Sequence, residues 1–200
     1  MNQEANFADD PYVYPGTSIL RNLADIRDTE RLERLESDHC FARLLELYEN
    51  AIPLRFDVEH LKRIHQHLFQ DVYAWAGEFR TVNMAKGNSF FARPEYIRAE
   101  LQKILDHLAS ENFLQGADSR AFCERAAYFL GEMNAIHPFR EGNGRTQREF
   151  LRELAVEAGY ELAWDLVTQE EIQAASIASF QEGSSEGFAA LLNKIIRSRQ

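Results

Sequence analysis

Residues 137–148 read HPFREGNGRTQR, and a helical pattern of apolar residues lies on either side of them. Apolar side chains recur at helical spacing before this segment, at Phe122, Ala126, Phe129, Leu130 and Met133, and after it, at Phe150, Leu151 and Leu154. The segment is therefore expected to join two helices. Its histidine, carboxylate, glycines and arginines indicate a site that handles a nucleotide.

The geometry of this joint is expected to follow from its proline and its glycines. Pro138 lacks an amide hydrogen and restricts the residue before it, so His137 should end the first helix with its imidazole facing a cleft. Gly142 and Gly144 permit backbone angles that a side chain would forbid, at the point where the second helix begins. Free amides and the positive end of the helix dipole make that point an anion site.

The charged side chains around the turn fit the same chemistry. Arg145 and Arg148 share one helical face, where both can grip phosphate oxygens. Glu141 supplies a carboxylate, which is the usual protein ligand in a magnesium site that phosphate oxygens and water complete. His137 is a general-base candidate because an imidazole titrates near neutral pH.

The segment resembles the Fic family motif, H-x-F-x-D/E-G-N-G-R-x-x-R, at every fixed position. Further features extend the resemblance over nearly the whole chain, namely Asp10-Pro11-Tyr12, Tyr14-Pro15-Gly16, Trp75-Ala76-Gly77, Asn134, Gly159-Tyr160 and Ala175-Ser176-Ile177. The chain looks like the stand-alone class I Fic toxins and the Fic domains of bacterial effectors. This implies an all-α Fic fold, a helical bundle with a small β-hairpin flap over the active site.

The resemblance also implies an activity. Fic proteins with an intact motif mostly transfer AMP from ATP to a protein hydroxyl and release pyrophosphate, so this chain would be a protein adenylyltransferase that uses Mg²⁺ and ATP. His137 would take the proton from the target hydroxyl, and Glu141 would hold magnesium between the α- and β-phosphates. Phe139 would point into the core and anchor the loop.

Nucleotide binding would, by the same resemblance, involve residues at the turn and on the two helices. These are Asn134, Gly142, Asn143, Gly144, Arg145 for the β-phosphate and Arg148 for the γ-phosphate. The kinase-like Doc branch of the family carries lysine where this chain has Gly144. Glycine therefore favours adenylyl transfer.

Residues 78–92 break the helical pattern, with β-favouring runs on either side of Lys86-Gly87-Asn88. This arrangement predicts a hairpin. Without the family resemblance, these residues also fit an ordinary surface hairpin. In Fic proteins a hairpin here, the flap, covers the site and aligns a target protein by strand addition, which implies the same for this chain. Lys86 and Gly87 are then expected near the nucleotide.

The sequence also bears on regulation. Many Fic proteins are inhibited by a helix with the pattern S/T-x-x-x-E-G/N, whose glutamate pairs with the second motif arginine. The nearest match here runs from Thr29 to Glu33, but Arg34 follows instead of glycine or asparagine. The resemblance therefore implies a toxin inhibited by a separate small antitoxin, whose glutamate would meet Arg148. Toxins of this type are similar to ones that modify DNA gyrase and topoisomerase IV.

Two alternative functions remain open. The first is a Fic-fold transferase that moves another group, such as phosphate, UMP or phosphocholine. The second is a nucleotide-binding module without catalysis.

Composition is consistent with one domain over residues 1–200, with its core at about 55–160, because 45% of the residues are hydrophobic. The formal charge of −10 argues against direct binding of nucleic acid. There are only two cysteines, Cys40 and Cys123, and no signal-like or membrane-spanning run, which predicts a cytoplasmic protein with buried thiols. His60, His65 and His67 do not share a helical face and are expected to be solvated or partly packed, not zinc ligands.

Most of the remaining chain is predicted to be helical. Residues 1–16 are expected to form an irregular arm. A helix should begin near Asp28, and Asp57 can cap another. Gly159 suits the end of the motif helix, and Thr168 with Glu171 forms a capping-box pattern.

Overall fold

The computed structural model describes residues 10–87 and 89–199, and most of them are helical. The helices are α1 Thr29–Glu49, α2 Val58–Phe69, α3 Ile97–Ser110, α4 Ser119–Ile136, α5 Asn143–Glu157, α6 Gln169–Glu182 and α7 Glu186–Ile195. Two small antiparallel sheets accompany them, formed by β1 Ala85–Lys86 with β2 Ser89–Phe90 and by β3 Tyr160–Leu162 with β4 Ile196–Ser198.

The chain separates into two compact units. The first comprises Met1–Pro53 and Lys62–Glu78, and the second comprises Leu54–Leu61 and Phe79–Gln200, so α2 contributes to both. The expectation of a single domain stays a prediction. None of the helices in the described ranges has the length and apolar content needed to cross a membrane.

The first unit is organised around α1 and the aromatic residues that follow α2. Tyr73 stacks on Trp75 with ring centroids 4.3 Å apart, and its hydroxyl donates a hydrogen bond to Glu36. The amide of Gly77 donates to Nδ1 of the buried His65 over 2.8 Å. Gly77 has a φ of +85°, and a Cβ there would lie 2.8 Å from Cβ of Gln66, so only glycine fits this turn.

The second unit is built around α4, which packs against α3, α5, α6 and α7. The apolar stripe of α4 is buried as its spacing predicts, and its members are Phe122, Ala126, Phe129, Leu130 and Met133. The stripe after the motif is buried as well, at Phe150, Leu151 and Leu154. The two helices that flank the motif are therefore fixed by the core of one unit.

Local capping signals mark where the helices begin and end, and the structure confirms the predicted ones. Asp28 accepts from the amide of Arg31 at the start of α1, and Asp57 accepts from His60 at the start of α2. Thr168 and Glu171 form a capping box at the start of α6. Gly159 follows α5 with a φ of +87°, as a glycine after a helix commonly does.

Other parts of the structure differ from the sequence-based expectations. The sheet of β3 and β4 was not predicted. His60 and His65 were expected to be solvated or partly packed, which is wrong, since both are fully buried. Cys40 and Cys123 are buried, as predicted. Of the expected irregular arm, residues 1–9 lie outside the described residues, and residues 10–16 form turns and an isolated bridge.

Candidate active site

His137 lies at the junction between α4 and the motif loop, where Pro138 ends the helix. Its amide still donates to the carbonyl of Met133 over 3.0 Å, while its own backbone is left-handed, with φ 50° and ψ 65°. Such angles are uncommon for a residue with a side chain and cost on the order of 1–2 kcal/mol. Strain of this kind persists where the surroundings hold a residue in place, and it is frequent at functional sites.

The loop after His137 is held by its own side chains. Phe139 is buried and anchors the loop, as predicted. Oδ1 of Asn143 accepts from the amide of Phe139 over 2.9 Å, and Nδ2 of Asn143 donates to the Phe139 carbonyl over 2.7 Å. The hydroxyl of Thr146 donates to the carbonyl of Gly142. The Asn143 side chain is thus bonded inside the loop, and its backbone amide is the group that it can offer to a phosphate.

Helix α5 begins at the glycine turn. Gly142 is the N-cap residue with a φ of +79°, and no side chain caps the helix there. The first amides of α5 and the positive end of its dipole therefore meet at this turn. This geometry can bind an anion, and backbone groups alone provide it.

Glu141 lies at the same turn, with its side chain 45% exposed. One of its oxygens, Oε1, accepts from the amide of Gly142 over 2.8 Å and lies 3.4 Å from the guanidinium of Arg145. The described residues contain no group of three or more His, Cys, Asp or Glu side chains placed to hold a metal. A lone, half-exposed carboxylate suits Mg²⁺ that takes its other ligands from phosphates and water, and the residues fit that kind of site.

Arg145 and Arg148 lie in the first two turns of α5, and both are partly exposed. A Cβ built on Gly144 would lie 3.2 Å from the guanidinium of Arg148. A side chain at residue 144 would therefore require the guanidinium of Arg148 to shift slightly.

The imidazole of His137 is neutral at ordinary pH. Burial is the main reason that the pKa of His137 falls from about 6.5 to about 4; the charges of Arg80 and Lys86 lower it too, whereas the carbonyl of Asn134 opposes the shift. Its Nδ1 is buried and the residue lines a cleft, so we expect Nε2 to be the nitrogen that meets a substrate. A neutral imidazole can accept a proton there.

An aromatic stack covers one face of this imidazole. The ring of Phe91 lies parallel to that of His137, with centroids 4.0 Å apart and planes inclined by 17°. Phe180 of α6 stacks on the other face of Phe91 at 4.3 Å. Phe91 directly follows β2, so the hairpin supplies part of the wall around His137.

A cleft with about 90 Å³ of free volume opens beside His137 and Arg148. At its polar end, Nδ2 of Asn134 donates to the carbonyl of Ser176, and the hydroxyl of Ser176 donates to Oδ1 of Asn134, each over 3.0 Å. Its other lining residues are Leu130, Gly144, Gln147, Trp164, Ile172, Phe188, Leu191 and Leu192. The cleft thus combines an apolar wall with a cationic rim.

The predicted site residues of the motif lie together in the second unit, on the end of α4, the loop and the start of α5. Lys86 is near enough to lower the pKa of His137, and a Cβ on Gly87 would lie 3.8 Å from Nε2 of Gln181. Whether Lys86 or Gly87 touches a nucleotide stays a prediction. Contacts of Arg80, Phe91 and Phe180 with the His137 region were not predicted, because residues so far apart in sequence carry no local signal of such contact.

Comparisons with known proteins identify the family. The model of the family described as "Fic/DOC family" matches residues 55–155. "Protein adenylyltransferase VbhT" of Bartonella schoenbuchensis is 46% identical over 94% of this chain and 39% of its own length. "Probable protein adenylyltransferase y4lH" of Sinorhizobium fredii is 41% identical over 96% of this chain and 98% of its own length. The chain therefore spans well under half of the first relative and nearly all of the second.

A solved structure shows the same fold. The BepC protein of Bartonella tribocorum, with bound AMPPNP, superposes with a TM-score of 0.88 at 27% identity, over 94% of this chain and 97% of that one. This confirms the expected all-α fold with a small β-hairpin. From the matched motif, the relatives and the fold together, the chain belongs to the Fic/DOC family.

Proposed function

We propose that this chain is a protein adenylyltransferase that transfers AMP from ATP to a hydroxyl side chain of a target protein. The observation that carries the proposal is that His137, Gly144 and Arg148 line one cleft, which places the imidazole beside the N-terminus of α5. The two relatives named as protein adenylyltransferases and the AMPPNP bound to BepC support it.

The reaction is an in-line displacement at the α-phosphorus. Nε2 of His137 takes the proton of the target hydroxyl as its oxygen attacks. A new bond forms between that oxygen and the α-phosphorus, while the bond to the bridging α,β-oxygen breaks and pyrophosphate leaves. The nucleotide's negative charge raises the proton affinity of His137 at the moment when it must act as a base.

The motif residues divide the binding of ATP. The amides of Asn143 and Gly144 would face the phosphates, and that of Gly142 would join them once released from Glu141; Arg145 would hold the β-phosphate and Arg148 the γ-phosphate. Glu141 would hold Mg²⁺, which when bound neutralises phosphate charge and fixes the α- and β-phosphates. These contacts would hold the β- and γ-phosphates in place while they leave as pyrophosphate.

Label transfer tests the proposal. Purified protein is incubated with a bacterial lysate and ATP labelled at the α- or the γ-phosphate. We expect proteins to gain the α-label only, and His137→Ala to lower the rate by at least roughly 100-fold. His107→Ala, an exposed histidine on α3, is the matched control and should leave the rate unchanged.

Other outcomes identify the alternatives. Transfer of the γ-label would show a kinase, and transfer from labelled UTP or CDP-choline would show uridylyl or phosphocholine transfer. Nucleotide binding with no transfer of any label, together with a biological effect that survives His137→Ala, would show a binding module.

We also propose that the target binds by strand addition to the flap, residues 78–92. The exposed residue Phe90 on β2 and the hairpin of β1 with β2 support this mode. DNA gyrase and topoisomerase IV in the cytoplasm are the proposed targets of a toxin of this type. Incubation of purified gyrase with the protein and α-labelled ATP tests this, and an unlabelled gyrase would contradict it.

For regulation, we propose a small antitoxin whose glutamate pairs with Arg148. The cleft beside Arg148 has the apolar wall that the buried face of a helix needs. A synthetic helix with the pattern S-x-x-x-E-G should inhibit transfer, and its Glu→Gly version should not. Equal inhibition by both peptides would contradict this mode of inhibition.

A further inference from the structure

Arg80 is a buried arginine at the start of the flap, only 1% exposed. Its guanidinium donates to the carbonyl of His137 over 2.7 Å and to that of Ile136 over 3.1 Å. It also donates to the carbonyl of Val82 over 2.7 Å and to that of Ala92. One side chain therefore bonds both ends of the flap and the end of α4 that carries His137.

Backbone hydrogen bonds join the same segments. The amide of Arg80 donates to the carbonyl of Pro138 over 2.9 Å, and the amide of Ala92 donates to that of Ala135 over 3.3 Å. The two limbs of the flap are thus tied to residues on both sides of His137. Movement of either limb would shift the histidine with it.

The chemistry of this position calls for arginine. The last carbonyls of a helix have no partner within the helix and lie at the negative end of its dipole, so a cation there is stabilising. A guanidinium offers five N–H donors in a rigid plane, whereas a lysine ammonium is a compact charge with three. Lysine could keep the charge of Arg80 but could not reach the four carbonyls together.

We infer that Arg80 is a positioning residue, which fixes the flap relative to His137 so that a hydroxyl aligned by the flap meets the catalytic nitrogen. The inference rests on the proposed function and extends it to a residue outside the motif. It assigns to Arg80 a role in transfer to protein and none in holding the nucleotide.

Kinetics of Arg80→Lys and Arg80→Gln test the inference, with Arg120→Gln as the control, since Arg120 is an exposed arginine paired with Glu124. Three quantities are measured: the thermal midpoint, the affinity for AMPPNP by calorimetry, and the initial rate of α-label transfer to lysate proteins. We expect both Arg80 variants to transfer at least tenfold more slowly, while their affinity for AMPPNP stays within threefold of wild type. Arg120→Gln should match wild type in all three.

The pH dependence separates positioning from a general loss of structure. The charge of Arg80, like that of Lys86, lowers the pKa of His137. Arg80→Gln should therefore raise the pKa of His137, measured by NMR, whereas Arg80→Lys should leave it unchanged and still slow the transfer. Loss of structure alone would not split the two variants in this way.

Several results would overturn the inference. These are a transfer rate within threefold of wild type in either folded variant, an affinity for AMPPNP that falls as much as the rate, or failure of both variants to fold. The last result would show that Arg80 serves folding and not positioning. If wild type transfers no label while still binding AMPPNP, the proposed function fails first, and that outcome is distinct.

Discussion

At the scale of single residues, the chemistry of the site depends on how little water reaches His137. Phe91 covers one face of its imidazole at 4.0 Å, and Phe180 closes the stack behind Phe91. Burial is the largest cause of the low pKa of His137, and aromatic rings in contact with an imidazole supply part of that burial. The stack therefore keeps the imidazole of His137 neutral and able to accept a proton.

The substitution Phe91→Ala tests this arrangement. Opening that face to water should raise the pKa of His137 from about 4 toward the ordinary value near 6.5. Because only the neutral imidazole accepts a proton, the acid limb of the rate profile should move to higher pH. NMR titration of His137 and transfer rates between about pH 4 and 8 measure both effects.

Phe90→Ala is the matched control for this prediction, since Phe90 is the preceding residue and is 75% exposed. It should leave the pKa of His137 unchanged. A pKa that stays near 4 in Phe91→Ala would show that other neighbours, and not the ring of Phe91, exclude water from the imidazole.

Among the secondary-structure elements, those that could be predicted from sequence are the ones whose ends are set by nearby residues. The ends of α4 and α5 follow from Pro138 and Gly142, and the start of α1 follows from Asp28, because capping acts over a few residues. The sheet of β3 and β4 pairs Tyr160 with Ser198, and no short-range signal marks such a partner. Sequence patterns predicted α1, α2, α4, α5 and the start of α6 but not this pairing.

The site likewise contains residues that could be predicted from sequence and residues that could not. Its motif residues could be predicted because they are contiguous and each meets a known chemical need. Arg80 could not, since an arginine in a β-favouring run is ordinarily expected to be exposed, and only the tertiary structure brings it to the end of α4. His60 was misjudged for a related reason, because its burial depends on a partner on another helix.

That partner is Glu153, which links α5 to the start of α2. Nε2 of His60 lies 2.9 Å from the Glu153 carboxylate, and both side chains are at most 2% exposed. Nδ1 of His60 accepts from the amide of Phe56 over 3.2 Å, so the ring proton lies on Nε2, which contacts the Glu153 carboxylate without forming a hydrogen bond to it. Arg152 pairs with Glu149 beside them and also lies 3.9 Å from the Glu153 carboxylate.

Glu153→Ala should therefore destabilise the protein. It leaves the buried imidazole of His60 without the carboxylate that contacts it and opens a cavity, at a cost of about 2–4 kcal/mol. The thermal midpoint should fall by at least roughly 4 °C, as measured by calorimetry. Glu153→Gln keeps an acceptor and should recover most of the loss.

Glu157→Ala, an exposed glutamate one turn further along α5, is the control and should change the midpoint little. If Glu153→Ala and Glu157→Ala behaved alike, the His60–Glu153 pair would not contribute to stability.

The net charge of the chain has the same sign as the charge of ATP, the ligand proposed for the site. The formal charge is −10, and ATP without metal is itself strongly negative. Arg145 and Arg148 provide local compensation near a glycine turn whose amides add partial positive charge. Binding should therefore depend on Mg²⁺ more than it would in a basic protein.

The dependence of AMPPNP binding on Mg²⁺ can be measured through the thermal midpoint of unfolding. AMPPNP with Mg²⁺ at about 100 times its dissociation constant should stabilise the folded state by about 2.7 kcal/mol, which raises the midpoint by roughly 5–11 °C in a chain of this size. With EDTA at the same AMPPNP concentration, the rise should be much smaller, because the phosphate charge is no longer neutralised. Glu141→Ala should show a smaller difference between AMPPNP with and without Mg²⁺, since it lacks the proposed protein ligand while Mg²⁺ on the phosphates still neutralises charge. Every residue of the site belongs to the second unit, so if the two units melt separately, only the transition of the second should move. If AMPPNP raised the wild-type midpoint equally with Mg²⁺ and with EDTA, the proposed role of Glu141 would be contradicted. If AMPPNP raised the midpoint of the first unit's transition, the position of the site would be contradicted.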